Sequence, residues 1–389
     1  MGGANDAVIS YDVPQAVRAT LARSERTEDI RFSPDNRRLA LADFDRNLIA
    51  IIGVDITIGG LRPQVAVTDI SEFSSAHLNG PHGVDFLDDE TIIVVNRYAD
   101  VAVFRLPKDN AAFDRGELTP IDPEPDRGFD LLAAPSAVAI TSDAKGNIEV
   151  LICNNVSHTV TKHTLQADPL AVTVNDVVLR RRLDLPDGVA VSADNQWIAI
   201  SNHDAHTVML YERSRSLDAS SDPDGILRGT FFPHGLRFSN DGRHLLVADA
   251  GAPHVHVYAR DGKTWRGVRY PATFIRDMDD PVFALGLEHG GRENAGPKGI
   301  DIDRHGHVLA TTSKFQPLAF FDVSSILHSS AERLPDDHAL QVSYELDVQE
   351  ASQEQVRISD ARRAKLLASG SWRITSPLRR LKATWKRRR

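Results

Sequence analysis

The chain has 389 residues, enough for two or three average domains or for one large domain built from repeats. Its single cysteine, Cys153, excludes a disulfide within the chain and a cysteine-rich zinc module, and no run of 18 apolar residues marks a membrane-spanning helix. The net charge of −9 is unevenly spread: residues 361–389 hold 11 Lys and Arg and no acid, so the first 360 carry 34 basic and 54 acidic side chains, a net of −20. So acidic a body does not suit a nucleic-acid groove, and no nucleic-acid partner is expected. The basic tail predicts an anionic partner for the tail, or a contact between tail and body. Met1-Gly2-Gly3-Ala4-Asn5-Asp6 lacks a basic segment leading into an apolar run, so a cytoplasmic location is expected.

In chain order, one pattern recurs six times. It starts at Thr27-Glu28-Asp29, Pro81-His82-Gly83, Pro135-Ser136-Ala137, Pro186-Asp187-Gly188, Pro233-His234-Gly235 and Pro297-Lys298-Gly299. The third position falls at 29, 83, 137, 188, 235 and 299, with spacings of 54, 54, 51, 47 and 64. Each unit predicts a short strand, a turn rich in Asp, Asn and Gly, and a second apolar strand ending in Asn or Asp. A third, alternating strand follows, as in Val208-Met209-Leu210-Tyr211 or Val255-His256-Val257-Tyr258. A unit of this length accommodates a four-stranded propeller blade.

Two segments break the period. Residues 106–133, with Pro107, Pro120, Pro123 and Pro125 among acids, predict a long loop between blades two and three. Residues 267–295 predict an insertion over one face, with a degenerate seventh blade as the alternative. The division predicted is a propeller over 1–350 and a tail over 351–389. In the tail, Ser376 and Pro377 predict a helix start, and Leu378, Leu381 and Trp385 form an apolar stripe among basic residues. With Trp372 and Arg373, this short basic helix reads as interfacial, on an anionic membrane surface. A solvated tail, or one docked on the acidic body, is the other reading.

The pattern resembles the six-bladed propeller superfamily of NHL-repeat, gluconolactonase-like and strictosidine-synthase-like proteins, and is similar to the seven-bladed lactonases around Pro233–Tyr258. The resemblance covers about residues 25–350. It implies an all-β, six-bladed propeller, and it is weak for function because such folds host hydrolases, lyases and pure binders.

In a propeller, the residue between Pro and Gly starts the innermost strand and faces the central channel. That expectation gathers Glu28, His82, Ser136, Asp187, His234 and Lys298, with Glu28 facing Asp187, His82 facing His234 and Ser136 facing Lys298. Glu28, His82, Asp187, His234 and Lys298 are the candidate catalytic residues. One layer out, the second strands end at Asp43, Asn96, Asn154, Asn202 and Asp249, beside Arg97, Asn155, His203 and Lys314. Ser136, Arg97, Asn96, Asn154, Asn202, His203, Asp249 and Lys314 are candidate ligand contacts. The Asn and Asp set equally suits capping of local backbone. The pairs His254/His256, His305/His307 and His203/His206 read more simply as strand or turn histidines. No Gly-rich phosphate loop, Ser-His-Asp elbow or Walker motif is present.

Gluconolactonase-like proteins hold a calcium ion in this channel through a Glu of the first blade and later Asn or Asp residues. Glu28 and Asp187 match that pattern. His82 and His234 depart from it, since imidazole suits zinc better than calcium. Peptide-amidating lyase, another six-bladed propeller, is similar in its Pro-His motifs, but its zinc set is incomplete here. One divalent ion, calcium or zinc, on Glu28, His82, Asp187 and His234 is the implied cofactor. A metal-free polar pocket for a hydroxylated or anionic ligand is the alternative.

The tail carries a second resemblance. Ser369-Gly370-Ser371-Trp372-Arg373-Ile374-Thr375-Ser376-Pro377-Leu378-Arg379 is similar to the terminus of many bacterial surface-polysaccharide glycosyltransferases and methyltransferases. It implies a role in O-antigen, capsule or exopolysaccharide assembly at the inner face of the cytoplasmic membrane, beside other assembly enzymes. Three functions are therefore expected in competition: a saccharide-binding or saccharide-active protein, a metal-dependent lactonase, and a non-catalytic membrane-associated scaffold.

Overall fold

The computed structural model describes residues 7–107, 115–122, 127–143 and 145–328. The chain divides into two compact units, Met1–Pro335 and Asp336–Arg389, and only the first holds described residues. Trp372, Arg373, Leu378, Leu381 and Trp385, and the helix expected around them, lie outside them.

Six sheets form six blades in a ring. Blade one holds β1 (Thr27–Phe32), β2 (Arg38–Asp43), β3 (Leu48–Thr57) and β4 (Gln64–Ser74). Blade two holds β5 (Pro81–Asp88), β6 (Thr91–Asn96) and β7 (Ala102–Arg105); the next strand, β8 (Arg115–Glu117), returns to blade one and pairs parallel to β4. Blade three holds β9 (Pro135–Ser142), β10 (Ile148–Asn154), β11 (Thr159–Ala167) and β12 (Leu170–Leu179). Blade four holds β13 (Pro186–Val191), β14 (Trp197–Asn202), β15 (Thr207–Glu212) and β16 (Gly225–Leu227). Blade five starts with β17 (Pro233–Phe238), β18 (His244–Asp249) and β19 (His254–Ala259). The chain then adds β20 (Gly267–Arg269) to blade four and β21 (Thr273–Arg276) to blade five. Blade six holds β22 (Gly299–Ile302), β23 (Val308–Thr312) and β24 (Ala319–Asp322).

The innermost strands β1, β5, β9, β13, β17 and β22 pack in sequence order, and β22 packs back on β1. The N-terminal segment helps close this ring. Val8 bridges Phe321, the Ile9 amide donates to the Phe320 carbonyl at 2.9 Å, and Asp12 reaches Ala66 of blade one.

The second strands are continuously apolar because both of their faces are buried. Leu39 and Leu41 of β2 pack with Val308 and Phe320 of blade six, while Ala40 and Ala42 pack with Val84 and Ile92 of blade two. One such apolar layer separates each neighbouring pair of blades around the ring. The turns between first and second strands repeat too. Ser33, Ser192 and Ser239 each donate to the Asp two residues on at 2.6 Å, and Asn36, Asn195 and Gly242 take the positive φ of the turn.

Three expectations need correction. The blades are not uniformly four-stranded: three to five described strands make up each. The segment 106–133 is not wholly a loop, since β8 joins blade one and Pro120 bridges Phe104. The segment 267–295 holds no seventh blade. Its strands extend blades four and five, and α2 (Asp280–Gly290) follows, with Asp279 capping the Val282 amide. Among the described residues no helix is long and apolar enough to cross a membrane.

Candidate functional site

The Pro-x-Gly pattern has a geometric cause. In five blades the ladder between first and second strands shifts register at the second motif residue; in blade six β22 begins just after Lys298. A bulge re-aims the side chain that leaves the ladder, here toward the channel. The glycine that follows admits the next blade. A Cβ on Gly188 would lie 2.1 Å from the His234 carbonyl oxygen, and one on Gly235 would lie 2.5 Å from that of Lys298.

Six buried side chains result, one per blade: Glu28, His82, Ser136, Asp187, His234 and Lys298. Five of them converge. Lys298 Nζ donates to both Glu28 oxygens, at 2.9 and 2.8 Å. His234 Nε2 lies 3.2 Å from Glu28 Oε2 and 3.3 Å from Asp187 Oδ2. His82 Nε2 lies 3.6 Å from Glu28 Oε2 and 4.0 Å from Asp187 Oδ1. The two imidazoles stack with centroids 5.5 Å apart. Ser136 does not join them: its hydroxyl donates to the Pro186 carbonyl at 2.9 Å.

Two arginines lie over this group. Arg26 pairs with Glu28, and Arg97 Nη2 donates to His82 Nε2 at 2.5 Å and to Asp187 Oδ1 at 3.2 Å. Arg26 was not among the expected residues. It sits two positions before Glu28, on the same side of an extended chain, and that i, i+2 relation was its only sequence signal. Asn155 Nδ2 holds Asp187 Oδ1 at 3.2 Å, and His203 Nδ1 lies 3.7 Å from Asp187 Oδ2.

Burial pushes the Glu28 carboxyl upward, but Arg26 and Lys298 outweigh it and hold it well below the usual carboxylate range. Asp187 is likewise pushed up by burial and held well below that range by His234, His82 and Arg97. Burial, with Arg97 beside it, keeps His82 far below its ordinary value and hence neutral. Its tautomer follows from geometry. Nδ1 meets the Ser136 carbonyl at 2.7 Å and must donate, so Nε2 presents a lone pair to the centre. Burial and Arg26 lower the Lys298 ammonium to about 8, against the opposing pull of Glu28.

The second-strand ends are framework residues. Asn96 Oδ1 accepts from the Asn79 amide at 3.0 Å, Asn154 Oδ1 from Ala133 at 2.9 Å, Asn202 Oδ1 from Asp184 at 2.5 Å and Asp249 Oδ2 from Phe231 at 2.7 Å. Each thus pins the loop that enters its own blade, and two also hold the turn that follows: Asn96 Nδ2 donates to the Asp100 carbonyl at 2.8 Å and Asp249 Oδ1 accepts from the Gly251 amide at 3.0 Å. Asp43 is buried beside Arg46, at 3.5 Å. Lys314 lies over the Phe315 ring, away from the central contacts. His203 and His206 instead border aromatic rings, at 5.1 and 4.7 Å from Phe232, with Arg292 stacked on Phe231.

The donors suit a metal in kind. Nitrogens of His82 and His234 and an oxygen of Glu28 lie within 4.8 Å of one another. His234 Nε2 is buried without a hydrogen bond, and His82 is oriented by a carbonyl, as metal-bound histidines commonly are. Two imidazoles and carboxylates suit zinc rather than calcium. The charges oppose it, because Arg26, Arg97 and Lys298 already surround Glu28 and Asp187.

No protein-family model and no curated protein matches this chain. Solved structures do. A luciferin-regenerating enzyme aligns at TM-score 0.50 and 12% identity, over 78% of this chain and 92% of that one. A Bacteroides uniformis ATCC 8492 protein named as a 6-phosphogluconolactonase aligns at TM-score 0.49 and 11% identity, over 75% and 80%. A functionally unknown protein of Desulfotomaculum acetoxidans DSM 771 aligns at TM-score 0.43 and 13% identity, over 76% and 85%. At such identities the likeness extends to the propeller fold alone.

Proposed function

We propose that the channel centre binds and acts on a sugar-derived small molecule that carries negative charge. The observation behind this reading is the convergence of Glu28, His82, Asp187, His234 and Lys298, from five blades, beneath Arg26 and Arg97. Carboxylates held ionised accept hydroxyl hydrogens. The cations receive an acidic group and stabilise charge that develops nearby. Neutral His82 keeps its Nε2 lone pair toward the centre, where it holds the Arg97 guanidinium. A calorimetric screen of sugar acids and sugar phosphates against neutral sugars tests it. Acidic sugars should bind, and Asp187→Asn should weaken them at least tenfold with the circular dichroism unchanged. Equal binding of neutral sugars would remove the anionic requirement, and binding of no sugar would overturn the reading.

Its place in bacterial surface-polysaccharide assembly is part of the proposal and rests on the tail sequence alone. The basic charges with Trp372, Leu378, Leu381 and Trp385 suit an anionic leaflet, at about 1 kcal/mol per basic residue. Salt-sensitive co-sedimentation with anionic vesicles, lost on truncation after Asp360, is the expected result. Equal sedimentation of both forms would remove the membrane role.

A second reading is a divalent-metal hydrolase of lactone type, favoured by the Glu28, His82 and His234 cluster. A zinc ion there would supply Lewis-acid activation of water. Near-stoichiometric zinc in the purified full chain supports it. Absence of metal, with no uptake on titration, excludes it.

A further inference from the structure

Three cations face two carboxylates at the centre, although the same atoms include a metal-type donor set. Lys298 and Arg26 are tied to Glu28 alone. Arg97 is different. Its Nη2 stands on the His82 Nε2 lone pair at 2.5 Å and on Asp187 Oδ1 at 3.2 Å, so it occupies one ligand nitrogen and a neighbouring carboxylate together. We propose that Arg97 is the resident cation of this centre, holding the place a metal would take and deciding that the site receives anions rather than metal.

Position supports this. Arg97 follows the last residue of β6, in a turn pinned by its own amide to the Gly80 carbonyl at 2.8 Å. Its side chain is 17% exposed, whereas His82 beneath it is 1% exposed. The guanidinium can therefore leave toward solvent without disturbing a strand, while the imidazole cannot. With Arg97 in place, a dication would meet three positive groups and a blocked nitrogen. Without it, two cations face two carboxylates, and His82 Nε2 joins His234 Nε2, which already lacks a hydrogen bond. The inference rests on the channel centre being the ligand site, but its readout is metal affinity and needs no substrate.

The test titrates Co(II) and Zn(II) into metal-stripped full-length protein, following the visible absorption of cobalt and the heat of zinc binding. Arg97→Met should bind both ions at least tenfold more tightly than wild type, with tetrahedral cobalt bands. Arg97→Lys, which keeps a cation, should stay within threefold of wild type. Arg97→Gln replaces Arg97→Met if the latter does not fold, as judged by thermal unfolding. Adding Glu28→Gln to the opened variant should abolish the gain. Equal or tighter binding by wild type would overturn the role of Arg97 and leave the metal-hydrolase reading standing. Binding by neither protein would overturn both. Loss of acidic-sugar binding in Arg97→Met, with the metal gain intact, would agree with both the proposal and the anionic-ligand reading.

Discussion

The channel contains two charged layers of opposite character. The upper layer, at the second motif position, is Glu28, His82, Asp187, His234 and Lys298. Deeper along the inner strands lie Asp29, Arg31 and Asp301, also buried, with Asp85 and Arg237 half-buried. The deeper carboxylates bond to backbone. Asp29 accepts the Val84 amide at 3.2 Å, Asp85 the Ile140 amide at 2.9 Å and Asp301 the Phe32 amide at 2.8 Å, each from the next blade round the ring. Arg31 and Arg237 complete Asp29 and Asp301, at 2.5 and 2.8 Å. In the upper layer His234 Nε2 lacks a hydrogen bond, as does Nδ1 of the adjacent His203, and the Arg97 guanidinium beside them is held by side chains only; in the deeper layer Arg31 Nε is the atom without one. Burial and charge are common to both layers. Carboxylates bonded to the next blade's backbone mark the one that holds the ring together.

The largest expected effect tests that distinction. Asp301→Ala strands the Arg237 guanidinium and the Phe32 amide, and should cost about 3–5 kcal/mol in chemical denaturation. A loss below about 1 kcal/mol would mean the deeper layer is not structural. Gly235→Ala forces a methyl against the Lys298 carbonyl and should cost about 2–3 kcal/mol. It should also disturb the upper layer, visible as weakened ligand binding.

Acid should act oppositely on His203, beside the upper layer, and on Asp29 of the deeper one. Burial lowers His203 to about 4, so its contribution to stability is complete above its unfolded value of 6.5 and lost as pH falls toward 4. That loss is about 2 kcal/mol at pH 5, and His203→Gln should flatten it. Burial raises Asp29 to about 6 against the pull of Arg31, so it gains stability as pH falls from 6 toward its unfolded value of 3.8. Asp29→Asn should therefore steepen the acid loss. Denaturant midpoints from pH 8 to 4 check both signs, and slopes changing in the same direction would contradict the contrast. The smallest stability effect is expected for His234→Asn, about 1–2 kcal/mol: it strands no backbone group, though it removes an imidazole that helps hold Glu28 and Asp187 ionised. Ligand binding should fall at least tenfold in the same variant. Stability loss matching Asp301→Ala would erase the difference between the layers.

The repeat was legible without coordinates because every blade solves the same local problem. A strand buried on both faces must be apolar throughout, a tight turn must place Asn or Gly at positive φ, and in four of the six units a glycine at the third motif position admits the next blade, Asp29 and Ala137 standing there in the other two. Six such units at near-constant spacing leave one architecture, and that determined where Glu28, His82, Asp187, His234 and Lys298 would meet. Local pattern did not determine which polar residues remain free to act. Ser136 looked as available as His234, and Asn96, Asn154 and Asn202 were open between ligand contact and capping of local backbone; each bonds to backbone near in space and 17 to 50 residues away in sequence. Arg26 became part of the centre only when the ring closed around it, whereas Arg97 was already a candidate contact beside the end of its second strand. Strands β8 and β20 left their own repeats to edge other blades, through parallel pairings that no local alternation encodes. Periodicity records how a segment meets its immediate neighbours. Partnership across the ring depends on distances that exist only after β22 has packed against β1.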